Sequence, residues 1–214
     1  MEAGLAGRER PPARDELVPR PLAVAITGGI GAGKSEALAA FARHGAAVIS
    51  SDEIVHRLLA EDDGVRDAIR ERLGDEALGG DGRPDRSAIA RIVFADRDAL
   101  AWLESLLHPL VVREYMAWRD ELASSEDPPA VAATEVPLLY EVGGEKRFDA
   151  VVAITAPRDL RSARASVPLE ARERRLLPDS EKVERADFSY VNDRGLSDLD
   201  AFVEGVMGEL EARA

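Results

Sequence analysis

Short runs of apolar residues alternate with amphipathic stretches along most of the chain. The apolar runs are continuous rather than alternating with polar residues, which is typical of strands buried on both faces of a parallel sheet. Five such runs predict strands at 22–26, 46–49, 130–133, 150–154 and, more weakly, 188–191. The stretches between them have helical spacing, and the clearest apolar stripes lie at about 98–123 and 197–212. This alternation predicts an α/β fold in which a five-stranded parallel sheet carries helices on both faces.

The spacing of the predicted strands is uneven. About 80 residues separate the second strand from the third, which is long for a simple crossover connection. We therefore predict a helical insertion at about 53–123, in a position suited to holding a second substrate. Residues 1–21 have balanced charge, several prolines and no periodicity, and we interpret them as a disordered leader before a single domain at 22–214.

A glycine-rich segment joins the first predicted strand to the first predicted helix. Its sequence, Gly28-Gly29-Ile30-Gly31-Ala32-Gly33-Lys34-Ser35, matches the phosphate-binding pattern G-x-x-x-x-G-K-S. Glycines let backbone N–H groups approach a polyphosphate, and the helix N-terminus adds the positive end of its dipole. Lys34 can reach the β- and γ-phosphates, and the Ser35 hydroxyl can bind Mg²⁺.

The alternative interpretation of this segment is the glycine turn of a dinucleotide-binding fold. That pattern needs a third glycine where Lys34 stands, so the sequence favours a nucleoside triphosphate with Mg²⁺. The loop residues expected to contact the triphosphate are Gly29, Gly31, Ala32, Gly33, Lys34 and Ser35.

Composition narrows the class of function. A net charge of −13 is unfavourable for binding nucleic acid or an anionic membrane surface. The chain has no cysteine and only three, well separated histidines, which argues against disulfides and against zinc sites built from these residues. No apolar run approaches the ~20 residues needed to cross a bilayer. The first residues also lack the apolar core of a secretory signal. We expect a cytoplasmic protein that acts on small molecules, as a monomer or weak oligomer.

Each predicted strand is followed by polar residues. These are Thr27 and Gly28, then Ser50 to Asp52, then Thr134 and Glu135, then Thr155, then Asn192 and Asp193. The carboxyl ends of parallel strands lie at one edge of a sheet, and ligands bind outside that edge. We therefore expect the glycine loop, Asp52, Glu135 and Asn192 to be neighbours.

Two of these acids have plausible chemical roles. Asp52 could accept a proton from an attacking hydroxyl as a general base, or it could only cap the helix that follows. The shared sheet edge favours the general base. Glu135 could lie near Mg²⁺ or its waters, or could be a solvated carboxylate at the end of a strand.

Six arginines lie within 158–175, a segment with only three acids. They predict a lid at about 158–180 whose guanidinium groups close on phosphates, with Arg161 and Arg164 as the first candidates. The alternative is an exposed helix face. Farther back, Pro109 is expected to break a helical pattern and to place His108 at that break, as a ligand-binding or a surface side chain.

Taken together, these segments resemble the dephospho-CoA kinase family over roughly 22–212. Beyond the glycine loop, the matching segments are Val48–Ile54, Asp85-Arg86, Ile92–Phe94, Leu106–Pro109, Val136–Leu139 with Glu141, and Ala186-Asp187 with Asn192. The resemblance implies a fold like that of the nucleoside monophosphate kinases, with a CoA-binding helical insertion and a short lid. It also implies transfer of the γ-phosphoryl group of ATP to the 3′-hydroxyl of dephospho-CoA, the last step of coenzyme A synthesis.

The resemblance carries over to single residues. Asp52 matches the family acid thought to serve as the base, and His108 matches a histidine near the acceptor. Leu139 lies in the Pro-Leu-Leu segment and is assigned to the same substrate, while Asn192 matches a residue near the adenine of ATP.

Three positions depart from the family pattern. Ser50 replaces an aspartate, and Leu176 replaces a glutamine in a lid that is several residues short. Glu36 replaces the threonine after Gly-Lys-Ser, which puts a carboxylate among the ATP-contacting residues near the α-phosphate. Two alternatives remain open, a P-loop kinase of another small hydroxyl compound and a non-catalytic nucleotide-binding protein of the same fold.

Overall fold

A computed structural model of the protein describes residues 20–164 and 176–213. Within them, five strands form one sheet in the order β2-β3-β1-β4-β5, and every neighbouring pair is parallel. The strands are β1 Leu22–Gly28, β2 Ala47–Ser50, β3 Val131–Glu135, β4 Ala150–Thr155 and β5 Phe188–Val191. The predicted parallel sheet is therefore confirmed, and each predicted strand is found within one or two residues of its expected ends.

Helices cover both faces of this sheet. They are α1 Lys34–Arg43, α2 Ser51–Glu61, α3 Asp63–Leu73, α4 Arg86–Ala95, α5 Arg97–Ala123, α6 Arg158–Arg164, α7 Asp179–Arg185 and α8 Leu196–Glu211. Successive residues of β1 point to opposite faces. Val24 and Ile26 pack in the main core with α1 and α8, whereas Ala25 packs with Leu139 on the other face. Burial on both faces explains why the strand sequences are continuously apolar.

Helices α2 to α5 form the segment between β2 and β3. Most of their apolar residues make a core cluster separate from that of the sheet, which includes Val65, Ile69 and Val93. Ile54 and Leu58 of α2 pack in a further cluster with Tyr115 of α5. This packing fixes α2 directly after the edge strand β2, so the first turn of α2 lies at the carboxyl end of the sheet.

The expected break at Pro109 is wrong. Helix α5 runs through Pro109 without interruption, and His108 is an exposed residue in its middle. A proline inside a helix removes one backbone hydrogen bond at a cost of about 3 kcal/mol. Leu103, Leu107 and Leu110 pack in one cluster on both sides of the proline, and this burial offsets that cost.

The last two residues of the predicted leader, 20–21, are described by the structure. The Arg20 guanidinium donates to Asp149 at 2.9 Å, and the same carboxylate accepts a hydrogen bond from the Ala23 backbone N–H at 2.8 Å. The chain is thus already placed at 20–21, just before β1. The rest of the predicted leader lies outside the described residues.

Candidate active site

The glycine loop lies between β1 and α1, at the carboxyl edge of the sheet. Gly33 has a φ of +99°, a left-handed conformation that favours glycine, and it forms the N-cap of α1. A Cβ at Gly33 would collide with the Asn192 side-chain amide. At Gly31 a Cβ would stand 2.7 Å from the Arg161 carbonyl oxygen. The loop therefore needs glycine both for its conformation and for the close approach of β5 and α6.

Lys34 begins α1 and is 8 % exposed. Its Nζ donates to the Gly29 carbonyl at 3.1 Å and lies 3.7 Å from a Glu135 oxygen. Burial lowers the pKa of Lys34, and the nearby Lys182 charge adds to that effect, while Glu135 and Asp52 oppose it. Phosphate oxygens at this position would act in the same direction as the two acids, favouring the charged ammonium.

Ser35 and Glu135 meet directly. The Ser35 hydroxyl donates to a Glu135 carboxylate oxygen at 2.8 Å, which ties the first turn of α1 to the end of β3. No group of three or more His, Cys, Asp or Glu side chains is gathered like metal ligands in the described residues. The pair nonetheless fits Mg²⁺, because this ion typically takes one or two protein oxygens and completes its shell with phosphates and water.

Asn192 follows β5 and is 4 % exposed. Its side-chain amide donates to the Ala32 carbonyl at 2.9 Å, so Asn192 stabilises the conformation of the loop. The ends of β3 and β5 thus bring the predicted residues Glu135 and Asn192 to the glycine loop, next to Lys34.

Asp52 lies in the first turn of α2. The alternative interpretation of Asp52 as the cap of this helix is wrong. Ser50 is the N-cap: its hydroxyl accepts from the Asp52 N–H at 3.2 Å, and Glu53 completes a capping box. The serine that departs from the family pattern therefore has a structural role. The Asp52 carboxylate is exposed, accepts no hydrogen bond from another described residue, and is close enough to Lys34 to raise the pKa of that lysine.

Glu36 does not present a bare carboxylate to the loop. Arg43 binds it at 3.1 Å and binds Asp200 of α8 at 2.7 Å. The charge of Glu36 is therefore partly neutralised by an arginine two turns along α1, and its contact with ATP stays a prediction.

The two lid arginines differ. The Arg161 side chain is 13 % exposed, lies 3.7 Å from Asp179, and has a guanidinium nitrogen 2.5 Å from where a Cβ on Gly29 would stand. It is thus beside the glycine loop, whereas Arg164 is exposed at the end of α6. The predicted lid arginines Arg172, Arg174 and Arg175 lie outside the described residues.

Leu139 and His108, the two other residues assigned to the acceptor, differ in exposure. Leu139 is 0 % exposed and its side chain packs with Ala25 and Val151, and its assignment to the acceptor stays a prediction. His108 is exposed on α5 and has no close partner among the described residues.

An ion pair beneath the loop was not predicted. Lys182 of α7 is fully buried and donates to Glu141 at 2.9 Å, and the same carboxylate oxygen accepts the Leu177 N–H at 2.9 Å. The pair therefore joins the segment after β3 to the chain that enters α7. Glu141 belongs to a segment that carries the family resemblance. Its partner Lys182 lies 41 residues farther along the chain, and no local sequence pattern predicts that the two residues pair.

A phosphate-binding loop after β1, an acid at the end of β3 and a second acid after β2, all at one edge of a parallel sheet, define a P-loop kinase of small molecules. In the described residues, no helix is both long and apolar enough to cross a membrane.

The comparisons with known proteins identify the family. The dephospho-CoA kinase family model matches residues 22–198. A dephospho-CoA kinase of Frankia casuarinae is 37% identical over 196 residues, covering 89% of this chain and 84% of that protein. One of Thermus thermophilus is 36% identical over 201 residues, covering 91% and 94%. The chain belongs to the dephospho-CoA kinase family and is a kinase of coenzyme A biosynthesis.

Two solved structures share the fold of this chain. The crystal structure of the Thermus thermophilus protein TT1252 superposes with a TM-score of 0.71 at 36% identity, over 89% of this chain and 98% of that one. Dephospho-CoA kinase from Campylobacter jejuni shares the fold, with a TM-score of 0.66 over 89% and 97% of the two chains at 24% identity.

Proposed function

We propose that this enzyme transfers the γ-phosphoryl group of ATP to the 3′-hydroxyl of dephospho-CoA, giving coenzyme A and ADP. The observation that carries the residue-level assignment is the exposed Asp52 carboxylate within electrostatic reach of Lys34, across the carboxyl edge of the sheet. Lys34 binds the donor phosphates there, and the Asp52 carboxylate is available to an acceptor alcohol.

The loop amides and Lys34 bind the triphosphate. Ser35 would hold Mg²⁺, and Glu135, which accepts a hydrogen bond from the Ser35 hydroxyl, would orient that hydroxyl. When bound, Mg²⁺ neutralises charge on the β- and γ-phosphate oxygens. Arg161, already beside Gly29, adds positive charge to the γ-phosphate. Asn192 keeps the loop in its binding conformation, and its contact with adenine stays a prediction.

The acceptor approaches from the side of the helical insertion. Asp52 accepts the 3′-hydroxyl proton as the hydroxyl oxygen bonds to the γ-phosphorus. The bond from that phosphorus to the β–γ bridging oxygen breaks, and ADP leaves with the bridging oxygen. Phosphoryl transfer depends mainly on positioning and charge stabilisation, and these groups supply both. His108 is a further candidate for contact with the acceptor, from α5.

The test is an ADP-release assay with dephospho-CoA and with other hydroxyl acceptors, combined with identification of the 3′-phosphorylated product. We expect turnover with dephospho-CoA to exceed that with every other acceptor. Faster turnover of another compound would identify a different small-molecule kinase. ATP binding without turnover on any acceptor would identify a non-catalytic nucleotide-binding protein.

A further inference from the structure

Arg86 and His56 form a contact that the proposed mechanism does not use. Arg86 is the first residue of α4, and its Nη1 lies 3.2 Å from Nδ1 of His56 on α2. A guanidinium has no acceptor, so the imidazole nitrogen accepts this hydrogen bond and Nε2 is left as the N–H donor. The neighbouring acid Asp85 does not neutralise Arg86 directly, because its carboxylate caps α4 by accepting from Ser87 and Ala88.

Exposure alone does not make an arginine a binding group. The partners of Arg86 therefore differ in an informative way from those of other arginines in the insertion. Arg66 and Arg70 in the same insertion are paired with aspartates. Arg91, on the same helix as Arg86, is exposed and has no carboxylate partner among the described residues either. Arg86 differs from Arg91 because His56 holds its guanidinium at α2.

The face of α2 that bears His56 also bears Asp52. The two residues are four positions apart, so their side chains lie on one helix face about one turn, or about 5.4 Å, from each other. The opposite face of α2 is buried through Ile54 and Leu58. Asp52, His56 and Arg86 therefore form a row that leads from the sheet edge into the insertion. We call it the acceptor row.

We propose that His56 and Arg86 bind the diphosphate of the acceptor nucleotide. This inference rests on the proposed function, in which Asp52 takes the proton of the 3′-hydroxyl. The acceptor carries that hydroxyl and its 5′-diphosphate on the same ribose, so its negative charge lies within about one helical turn of Asp52. A guanidinium matches phosphate oxygens with two parallel N–H donors, and His56 Nε2–H adds a third donor.

This pair would make the enzyme select a 5′-diphosphate nucleotide over a free nucleoside. The first experiment measures equilibrium binding of dephospho-CoA and of adenosine by calorimetry. We expect Arg86→Ala to weaken dephospho-CoA binding about 10- to 100-fold and to leave adenosine binding unchanged. Arg86→Lys should recover part of the loss. The matched control, Arg91→Ala, removes the same charge from the same helix and should bind both ligands like the wild type.

A second measurement, transfer of labelled γ-phosphate to the 3′ position, separates this inference from the proposed function. Wild-type binding that depends on Arg86 but leads to no transfer would support the diphosphate site and contradict the proposed reaction. Equal affinity of wild type and Arg86→Ala for dephospho-CoA would overturn the inference, whatever the activity. An equal loss for dephospho-CoA and adenosine would also overturn it, since it would indicate a structural effect.

Discussion

The two halves of the site are built differently. On the nucleotide side the functional groups are held by other protein groups: the buried Lys34 by Gly29 and Glu135, the exposed Ser35 by Glu135, and the loop by the buried Asn192. On the acceptor side the row of Asp52, His56 and Arg86 is exposed. The nucleotide half is thus preorganised by the protein, whereas the acceptor half offers charges whose main partners arrive with the substrate.

This difference has a consequence for variants. A change on the nucleotide side should alter both stability and ATP binding, because each side chain there also supports its neighbours. A change in the acceptor row should alter acceptor binding or turnover and leave the free energy of unfolding nearly unchanged.

The largest expected change in stability comes from the buried ion pair beneath the loop. Lys182→Met leaves the Glu141 carboxylate without its ammonium partner, and we expect the free energy of unfolding in urea to fall by about 3–5 kcal/mol. The double variant Lys182→Met/Glu141→Leu should recover much of this loss, because it removes the uncompensated charge as well. A loss below 1 kcal/mol in the single variant would show that the pair does not stabilise the nucleotide half. The exposed pair of Arg70 and Asp75 provides the control, and Arg70→Ala should change stability by less than about 1 kcal/mol.

Lys34→Met should have the next largest effect, on turnover. It removes a positive charge from the γ-phosphate as negative charge shifts during transfer, and we expect kcat to fall about 10²- to 10³-fold. Lys146→Met is the control, since Lys146 is exposed and distant in sequence from the loop. Turnover within a few-fold of the wild type would exclude Lys34 from transition-state stabilisation.

Asn192→Ala should have an intermediate effect. It leaves the buried Ala32 carbonyl without its donor, which costs about 1–3 kcal/mol of stability, and it loosens the loop that binds ATP. Thermal unfolding and ATP titration on the same samples measure both quantities. We expect stability and ATP affinity to fall together, and unchanged ATP affinity in a destabilised variant would contradict the supporting role of Asn192. Asp193→Ala, at the exposed neighbouring position, should change neither.

The smallest effect is expected at Glu36. Arg43 neutralises part of its charge, and hydrogen bonding from Arg43 also lowers the pKa of Asp200, which shares the guanidinium. Glu36→Gln should therefore raise ATP affinity less than about fivefold. Arg43→Ala should weaken ATP binding when Glu36 is present and have no such effect beside Gln at position 36. A large gain from Glu36→Gln alone would mean that the carboxylate faces the phosphates.

The comparison also explains how far the sequence could predict this molecule. Strands such as Leu22–Gly28 were predictable because burial on both faces requires a continuous apolar run. The positions of Asp52 and Glu135 near the glycine loop could be predicted because the carboxyl ends of parallel strands lie at one edge of the sheet. The contacts that were missed join residues far apart in the chain: Lys182 with Glu141 and Arg86 with His56. Tertiary packing on both sides of Pro109 likewise overrode its local preference.

The central claim is that Asp52 serves the acceptor across the sheet edge from a preorganised ATP site. Its most direct test is the Asp52→Asn variant, with kcat for 3′-phosphorylation of dephospho-CoA and the Kd for ATP measured side by side. The amide keeps the size of the side chain and cannot take the proton, so kcat should fall about 10²- to 10⁴-fold. The Kd for ATP should stay within about threefold, because Asp52 does not bind the loop. A variant that retains nearly full kcat would contradict the account.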